Sequence, residues 1–245
     1  FKKYLTSTAT KVTPSDLELC INLNKNYTAL LDSLGKDSIL LNEVLRETVL
    51  AKGLGELYKL NSFDKKNIIF MLSEISKKTK FPEISIIASN LVYNLTKLEP
   101  GTIAPSFSLP DINNLKYSLS DFKGKYVYLN FFTTNNLPCI SEFQLMNQLK
   151  IDFGKDIEII SISVDKEILK LDYYLEKKSF NWLFLHFNND YDLLEKYEAK
   201  SYPLFVLIDR EGKILLNQAP MPSENVKKYF EELTAPVVKE IKRQY

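Results

Sequence analysis

The chain contains very few side chains that could act as a nucleophile or bind a transition metal. Its 245 residues include two cysteines, Cys20 and Cys139, and a single histidine, His186. A structural zinc site usually takes four Cys or His ligands, so these three residues cannot form one within a single chain. We therefore predict no bound metal, and the chemistry to consider is that of a thiol.

Cys139 stands where a helix is predicted to begin. A strand-like apolar run ends at Phe132, a polar segment follows, and Pro138 suits the first turn of a helix. One hypothesis makes Cys139 a peroxidatic or mixed-disulfide thiol at the start of this helix. The other makes it a small buried side chain one turn inside the helix. We favour the second, because free cysteines are among the most buried residues.

The other chemistry-bearing residues favour structural roles. Cys20 lies among alternating apolar residues and is predicted to belong to a core, although a disulfide with Cys139 stays open. No nucleophile can be placed beside His186, so we expect a structural or solvent-facing imidazole. Asp165 and Asp209 each follow a predicted strand, at the sheet edge where α/β proteins place their sites. Such residues more often cap a helix or begin a turn.

Composition excludes several classes of function. Lys and Arg number 32 against 31 Asp and Glu, a formal charge of +1, so no nucleic-acid partner is indicated. With 7 glycines and no phosphate-binding loop motif, no nucleotide cofactor is predicted. No apolar run approaches the roughly 20 residues that cross a bilayer. The chain begins at Phe1, which we interpret as a processed or trimmed product.

The elements that must position these residues fall into two regions. Helical spacing predicts an all-α region over residues 1–98. Four helices are predicted. The first runs from Ser15 or Asp16 to Leu34, before Gly35, and the second begins at Asp37 or Ser38 and has an apolar face formed by Leu41, Val44, Leu45 and Leu57. The third runs from Asp64 to Lys80, and the fourth begins at Pro82 and has an apolar stripe formed by Ile84, Ile87, Leu91, Leu95 and Leu98.

Residues 99–245 alternate between strand-like and helical spacing, which predicts an α/β domain with a mostly parallel sheet. The predicted strands are Tyr126–Phe132, Ile157–Val164, Leu204–Ile208 and, after a hairpin turn, Ile214–Leu216. Helical spacing covers 138–153, 166–178, 190–199 and 223–233, and Pro236 is expected to kink or end the last helix.

Five motifs in this second region occur in the order of a known family. They are GTIAPSFSL at 101–109, SLSDFKGK at 118–125, FFTTNNLPCISE at 131–142, SISVD at 161–165 and YPLFVLID at 202–209. In these motifs the chain resembles the thioredoxin-like superfamily, specifically the TlpA-like and AhpC/TSA-type thiol–disulfide oxidoreductases of bacterial envelopes. The resemblance covers about residues 100–235 and implies a thioredoxin-like fold, a central mixed sheet flanked by helices, after an all-α N-terminal region.

The resemblance also locates the site and shows what it lacks. The family's C-x-x-C aligns with Asn136, Leu137, Pro138 and Cys139, preceded by Thr134 and Asn135 and followed by Glu142. The family's first cysteine attacks the substrate disulfide and the second resolves the mixed disulfide. Here the first position is Asn136. An amide cannot become a thiolate, so the two-cysteine cycle cannot run.

Two further residues are placed by the resemblance. Tyr202–Pro203 aligns with the cis-proline loop, which in relatives faces the C-x-x-C and offers backbone groups to an extended peptide, so a binding groove could survive without a reacting thiol. Asn136 could bind a ligand there, but Asn is also a favoured helix N-cap residue, and we favour that role.

Three hypotheses follow. The leading one is a redox-degenerate member of the family that binds or scaffolds a protein or peptide partner, which could carry a thiol. The alternative is a single-cysteine oxidoreductase or peroxiredoxin-type peroxidase that uses Cys139; whether the chain is an enzyme stays open. A third is that the protein pairs with an active paralogue. The resemblance implies an extracytoplasmic location, either periplasmic or anchored to the bacterial envelope.

Overall fold

The structure, a computed structural model, describes residues 13–176 and 178–235. The chain divides into two compact units, Phe1–Lys97 and Leu98–Tyr245. No helix within the described residues is both long and apolar enough to cross a membrane.

The described part of the first unit is entirely helical. Its α-helices are α1 (Pro14–Leu19), α2 (Tyr27–Leu34), α3 (Glu43–Leu57), α4 (Lys65–Lys78) and α5 (Pro82–Thr96), with a π-helical turn at Cys20–Asn24 and a 3-10 turn at Ser38–Leu41. Side-chain oxygens of Thr13, Asn26, Asn42 and Asp64 cap α1 to α4 by accepting backbone N–H groups.

Two predicted helices of this unit are wrong in detail. The first does not run unbroken to Leu34, because Lys25 adopts a left-handed conformation and Asn26 starts a new helix. The second does not begin at Asp37 or Ser38: the chain makes a 3-10 turn and the helix begins after Asn42. The predicted apolar face is also wrong at three positions, since these side chains are exposed: Leu41, Val44 and Leu45.

Helix α4 is tied to the π-helical turn Cys20–Asn24 by side-chain hydrogen bonds. The Asn67 side-chain amide donates to the backbone carbonyls of Ile21 and Asn22 at 3.0 and 2.8 Å. The Asn22 side chain in turn accepts from the backbone N–H of Asp64 at 2.8 Å. Around these bonds lies a core of leucine, isoleucine and methionine side chains, against which Cys20 packs half-buried. This agrees with the expected core role of Cys20.

The described part of the second unit contains seven strands. They are β1 (Ser108–Pro110), β2 (Lys116–Ser118), β3 (Tyr126–Phe132), β4 (Ile157–Ser163), β5 (Leu183–His186), β6 (Leu204–Ile208) and β7 (Ile214–Asn217). Its helices are α6 (Leu137–Phe153), α7 (Ile168–Leu175), α8 (Tyr191–Lys196) and α9 (Val226–Thr234), with 3-10 turns at Leu119–Phe122 and Pro222–Glu224. Pro236, expected to end the last helix, lies outside the described residues.

Five of these strands form one sheet in the order β5-β4-β3-β6-β7, and β1 pairs only with β2. β3 runs parallel to β4 and antiparallel to β6; β5 is parallel to β4, and β7 antiparallel to β6. The sheet is therefore mixed rather than mostly parallel, which confirms the predicted fold class and corrects the expectation from periodicity. The short strands β1, β2 and β5 were not predicted, because runs of three or four residues leave little pattern to detect.

Alternation along β3 creates two cores, one on each face of the sheet. Val127, Leu129 and Phe131 face the core that contains α8. Tyr128 and Phe132 face the core that contains α6, α7 and α9. On that second face, the rings of Phe132 and Phe143 meet edge to face at 4.9 Å, so α6 lies against β3. This contact fixes where the start of α6 lies.

The Asn130 side chain lies in this second core without a hydrogen-bond partner among the described residues. By alternation, Asn130 points to the same face as Tyr128 and Phe132, and it is 0% exposed. Neither its Nδ2 nor its Oδ1 makes a hydrogen bond within residues 13–176 and 178–235. A buried polar group of this kind destabilises the folded state, typically by about 1–3 kcal/mol.

We predict that Asn130→Leu, which keeps the branching and the number of side-chain heavy atoms, raises the free energy of unfolding of the second unit by about 1–2 kcal/mol. Urea denaturation would measure the change. The matched control is Asn67→Leu, which removes two donated hydrogen bonds and should lower the stability of the first unit by about 2 kcal/mol. A stability loss above about 1 kcal/mol in Asn130→Leu would show that its amide has a partner in solution.

Candidate functional site

The segment that joins β3 to α6 contains the residues predicted to form the site. Asn136 has an extended conformation and is the N-cap of α6, and its Oδ1 accepts the Cys139 N–H at 3.3 Å. Its Nδ2 donates to the backbone carbonyl of Tyr202 at 3.3 Å. The first contact is the capping role predicted for Asn136, and the second brings the Tyr202–Pro203 loop to the start of the helix.

An aspartate from the neighbouring strand holds the same segment. Asp165 follows β4, and because β3 and β4 are parallel, it lies at the edge where β3 ends. Its Oδ2 accepts the Thr134 N–H at 2.9 Å and the Ser163 hydroxyl at 2.8 Å. Asp165 is buried, so these bonds satisfy a carboxylate that would otherwise be costly there. The sequence indicated the edge position of Asp165 but not its bond to Thr134.

Cys139 is part of the core and not of the surface. Its side chain is 0% exposed and belongs to the same cluster as Phe132, Phe143 and Met146. Burial raises the pKa of the Cys139 thiol; a hydrogen bond from the Thr133 backbone acts in the opposite direction, and the nearby Asp165 adds to the increase. The buried-side-chain hypothesis for Cys139 therefore has direct geometric support.

Glu142, one turn after Cys139, faces the C-terminal part of the unit. Its carboxylate is buried and accepts the Ser223 N–H at 2.9 Å and the Ser223 hydroxyl at 2.7 Å. The Tyr128 hydroxyl donates to the Pro220 carbonyl at 2.6 Å, and burial raises the pKa of this phenol well above its ordinary value. These bonds attach the segment before α9 to α6 and β3. Ser223 was not among the predicted residues, because a contact 81 positions away in sequence leaves no local signal.

The Tyr202–Pro203 peptide bond is cis, and both residues are half-buried. The Tyr202 hydroxyl donates to the Ala199 carbonyl at 3.1 Å. Burial raises the pKa of the Tyr202 phenol, and the nearby Cys139 thiol contributes to the increase. The Tyr202 backbone N–H has no hydrogen-bond partner within the described residues. Tyr202 therefore offers a backbone donor beside the start of α6.

The side chains around this loop are neutral and partly apolar. Leu137 is 80% exposed, and Asn135 and Pro138 are also exposed, while Thr134 and Asn136 are half-buried. We call the surface formed by residues 134–138 together with Tyr202 and Pro203 the groove surface. It presents backbone and amide groups next to apolar side chains, the combination that binds an extended peptide.

Ser163, Asp165 and His186 come together, but not as a hydrolytic triad. His186 Nδ1 accepts the Asn188 N–H at 3.1 Å, so Nε2 carries the proton and donates to the Asp165 carbonyl at 2.6 Å. The Ser163 hydroxyl donates to the Asp165 carboxylate and not to the imidazole. All three are buried, and His186 is structural as expected.

Asp209 does not belong to the groove surface, and the two cysteines do not form a disulfide. Asp209 follows β6, which is antiparallel to β3, so it lies at the opposite edge of the sheet. There it accepts the backbone N–H groups of Glu211 and Lys213 in the hairpin turn. Cys20 and Cys139 are both free thiols. No cluster of three or more potential metal ligands occurs within the described residues.

Known proteins resemble this chain in both sequence and fold. A profile of the AhpC/TSA family matches residues 100–216. The thiol-disulfide oxidoreductase ResA of Geobacillus thermodenitrificans is 29% identical over 149 residues, 60% of this chain and 85% of that protein. ResA of Bacillus subtilis is 33% identical over 119 residues, 48% of this chain and 66% of that protein. A crystal structure from Bacteroides vulgatus, assigned as a thiol-disulfide oxidoreductase, is 31% identical with a TM-score of 0.53, over 56% of this chain and 98% of that one.

The burial of Cys139 leads to a prediction about its reactivity. In a Cys20→Ser background, we expect iodoacetamide to alkylate native Cys139 at least about 100-fold more slowly than the urea-unfolded chain. The reason is that the thiol is covered, and its raised pKa leaves less thiolate in the folded than in the unfolded state at any given pH.

Mass spectrometry of samples quenched between pH 6 and 10 would measure this rate. The expected native profile rises only at pH values above the ordinary thiol range, because a raised pKa delays ionisation. A native thiolate with a pKa well below about 8.5 would contradict the prediction and support Cys139 as a nucleophile.

Proposed function

This chain belongs to the AhpC/TSA family of thioredoxin-like thiol–disulfide oxidoreductases, and we propose that it has lost the family's two-cysteine reaction and binds an extended segment of a protein or peptide partner. The single observation that carries the proposal is the side chain at the start of α6. There an amide, that of Asn136, caps the helix at the position where the reaction needs a thiolate.

The remaining thiol supports the loss of catalysis. A nucleophilic cysteine must expose its sulfur and ionise near neutral pH, whereas Cys139 is fully buried with a raised pKa. The same observation disfavours a single-cysteine oxidoreductase or peroxidase, because a disulfide or peroxide would have to reach a sulfur enclosed by the core. A resolving cysteine can be buried, since it attacks only within the protein, but here no first thiol forms the mixed disulfide.

The groove surface supports the binding role. Tyr202 presents an unpaired backbone N–H, and the exposed Leu137 and Pro138 offer apolar contact beside it. A backbone carbonyl of an extended peptide can accept the Tyr202 N–H, and an apolar side chain of the same peptide can pack against Leu137 and Pro138. Because no charged side chain lies within residues 133–141, the groove surface favours a neutral or apolar segment. The partner need not contain a thiol, although one is allowed.

Location and partner class complete the proposal. The resemblance to envelope oxidoreductases favours a place outside the cytoplasm, periplasmic or envelope-anchored. The near-neutral formal charge of +1 gives no reason to propose a nucleic-acid partner.

Restoring the missing thiol tests the loss of catalysis. We predict that the wild-type protein reduces insulin at the rate of the buffer with dithiothreitol alone, and that Asn136→Cys accelerates the reaction about tenfold or more. A thiol at that position would sit at a helix N-terminus, where its pKa falls, with Cys139 one turn away to resolve the mixed disulfide.

The matched control is Asn136→Cys combined with Cys139→Ser, which lacks the resolving thiol: after removal of dithiothreitol it should accumulate a mixed disulfide with insulin, and in the assay it should be slower than Asn136→Cys. Insulin reduction by the wild-type protein would contradict the proposed loss of activity. An inactive but folded Asn136→Cys would show that the groove surface no longer has the geometry of a redox site.

A second experiment tests the binding itself. On an array of cysteine-free peptides, we expect the protein to bind a subset rich in neutral and apolar residues, and Leu137→Asp to weaken that binding by about tenfold, because it places a charge in the groove surface. Leu145→Asp is the matched control, since Leu145 is also an exposed leucine of α6 but lies two turns further along. Equal weakening by both variants, or no binding by the wild-type protein, would contradict the proposal.

A further inference from the structure

The Asn136 side chain makes one more contact than a helix cap requires. Capping α6 needs only an oxygen that accepts the Cys139 N–H, and Ser, Thr or Asp provides that as well as Asn does. Among these four, only the amide also carries an N–H donor long enough to reach across to another loop. In this structure that donor is used, because Nδ2 binds the Tyr202 carbonyl.

This second contact joins two segments that otherwise have no direct polar connection. Within the described residues, it is the only hydrogen bond between residues 133–139 and residues 199–203. The loop is otherwise held by β6, which begins at Leu204, and by the Tyr202 hydroxyl, which binds Ala199 in the same loop. The Ala199 N–H donates to the Leu194 carbonyl at 2.9 Å, and the Tyr202 side chain packs against the cores on both faces of the sheet. The Asn136 amide therefore gives the Tyr202 backbone its direct hydrogen bond to the start of α6.

The contact leaves the Tyr202 backbone able to bind a partner. A carbonyl oxygen has two lone pairs, so the bond from Asn136 leaves one for a peptide N–H. The Tyr202 N–H makes no hydrogen bond within the described residues. One residue thus presents a donor and an acceptor at a set position, as an edge strand does when an extended peptide pairs with it.

We propose that Asn136 is a positioning residue, which holds the Tyr202 carbonyl so that an extended, disulfide-free peptide can pair with the Tyr202 backbone. The inference rests on the proposed binding function; pairing of a peptide with this loop is what the family resemblance implies, and the new element is the role of Asn136 in positioning the loop. A loop already fixed in its binding conformation loses less conformational freedom when the peptide binds, and this strengthens binding. In the family this position carries the cysteine that attacks the disulfide. Here its side chain holds the Tyr202 loop in the conformation that binds the peptide.

Two substitutions separate positioning from capping. Asn136→Asp and Asn136→Ser both keep an oxygen for the Cys139 N–H and lose the amide donor to Tyr202. Asn136→Ala loses both contacts. In each variant of the full chain, NMR would measure the carbonyl ¹³C shift of Tyr202, the amide order parameters of Ser201 and Tyr202, and the amide hydrogen exchange of Cys139.

The expected result is specific to the loop. Asn136→Asp and Asn136→Ser should shift the Tyr202 carbonyl resonance and lower the order parameters of Ser201 and Tyr202 from about 0.85 towards 0.6. Exchange at Cys139 should remain slow in both variants and increase about three- to tenfold only in Asn136→Ala. Peptides selected by the array should bind both cap-retaining variants about three- to tenfold more weakly than the wild-type protein.

Two results would overturn the inference. One is an unchanged Tyr202 carbonyl shift and unchanged order parameters in both Asn136→Asp and Asn136→Ser. The other is a mobile loop that binds the selected peptides as tightly as the wild-type loop does. Absence of any bound peptide on the array would overturn the proposed function instead, and the NMR measurements would still decide whether Asn136 positions the loop.

Discussion

The arrangement of the site depends on the pairing of β3 with two strands of opposite direction. β4 runs parallel to β3, so the residues after both strands reach the same edge of the sheet. β6 runs antiparallel to β3, so the residues before β6 reach that edge as well. This pairing brings together Thr134, Asp165 and Tyr202, which are far apart in sequence. If β6 ran parallel to β3, the Tyr202–Pro203 loop would lie at the opposite edge of the sheet, where Asp209 lies in this structure.

The start of α6 explains why an amide can replace a thiol at little structural cost. A helix N-terminus has unpaired backbone N–H groups and a partial positive charge, which favour any electron-rich group placed there. The family uses this environment to ionise a cysteine, whereas the Asn136 oxygen satisfies the same N–H groups without ionising. The helix therefore keeps an N-cap. What changes is the reaction open to the site, because an amide oxygen does not attack a disulfide.

The ordered motifs allowed the site to be predicted from sequence, while contacts between distant segments had to come from the structure. The motif that contains Asn136 and Cys139, and the strands β3 and β6, follow from runs long enough to show a pattern. The break in the first predicted helix at Lys25 was missed because the apolar residues on both sides of it have helical spacing. The one local sign of a new helix is Asn26, a residue type favoured at helix N-caps. Asp209 was placed at the wrong edge because strand direction is set by pairing and not by local sequence. The bond between Asn136 and Tyr202 spans 66 positions, beyond any local pattern.

The two positions of the family's cysteine pair, 136 and 139, are under different physical constraints. This difference explains why a cysteine is present at position 139 and not at position 136. Position 136 is half-buried and its side-chain hydrogen bonds go only to backbone groups, so a Ser, Thr or Asp could also cap the helix there, although only Asn can in addition donate to Tyr202. Position 139 lies inside an aromatic core with Phe132 and Phe143, where a larger side chain would clash and a polar one would lack partners. A cysteine behaves in such a core as a small apolar residue. The proposed loss of the reaction would remove the need for a thiol at position 136, whereas packing alone is sufficient reason for one at Cys139.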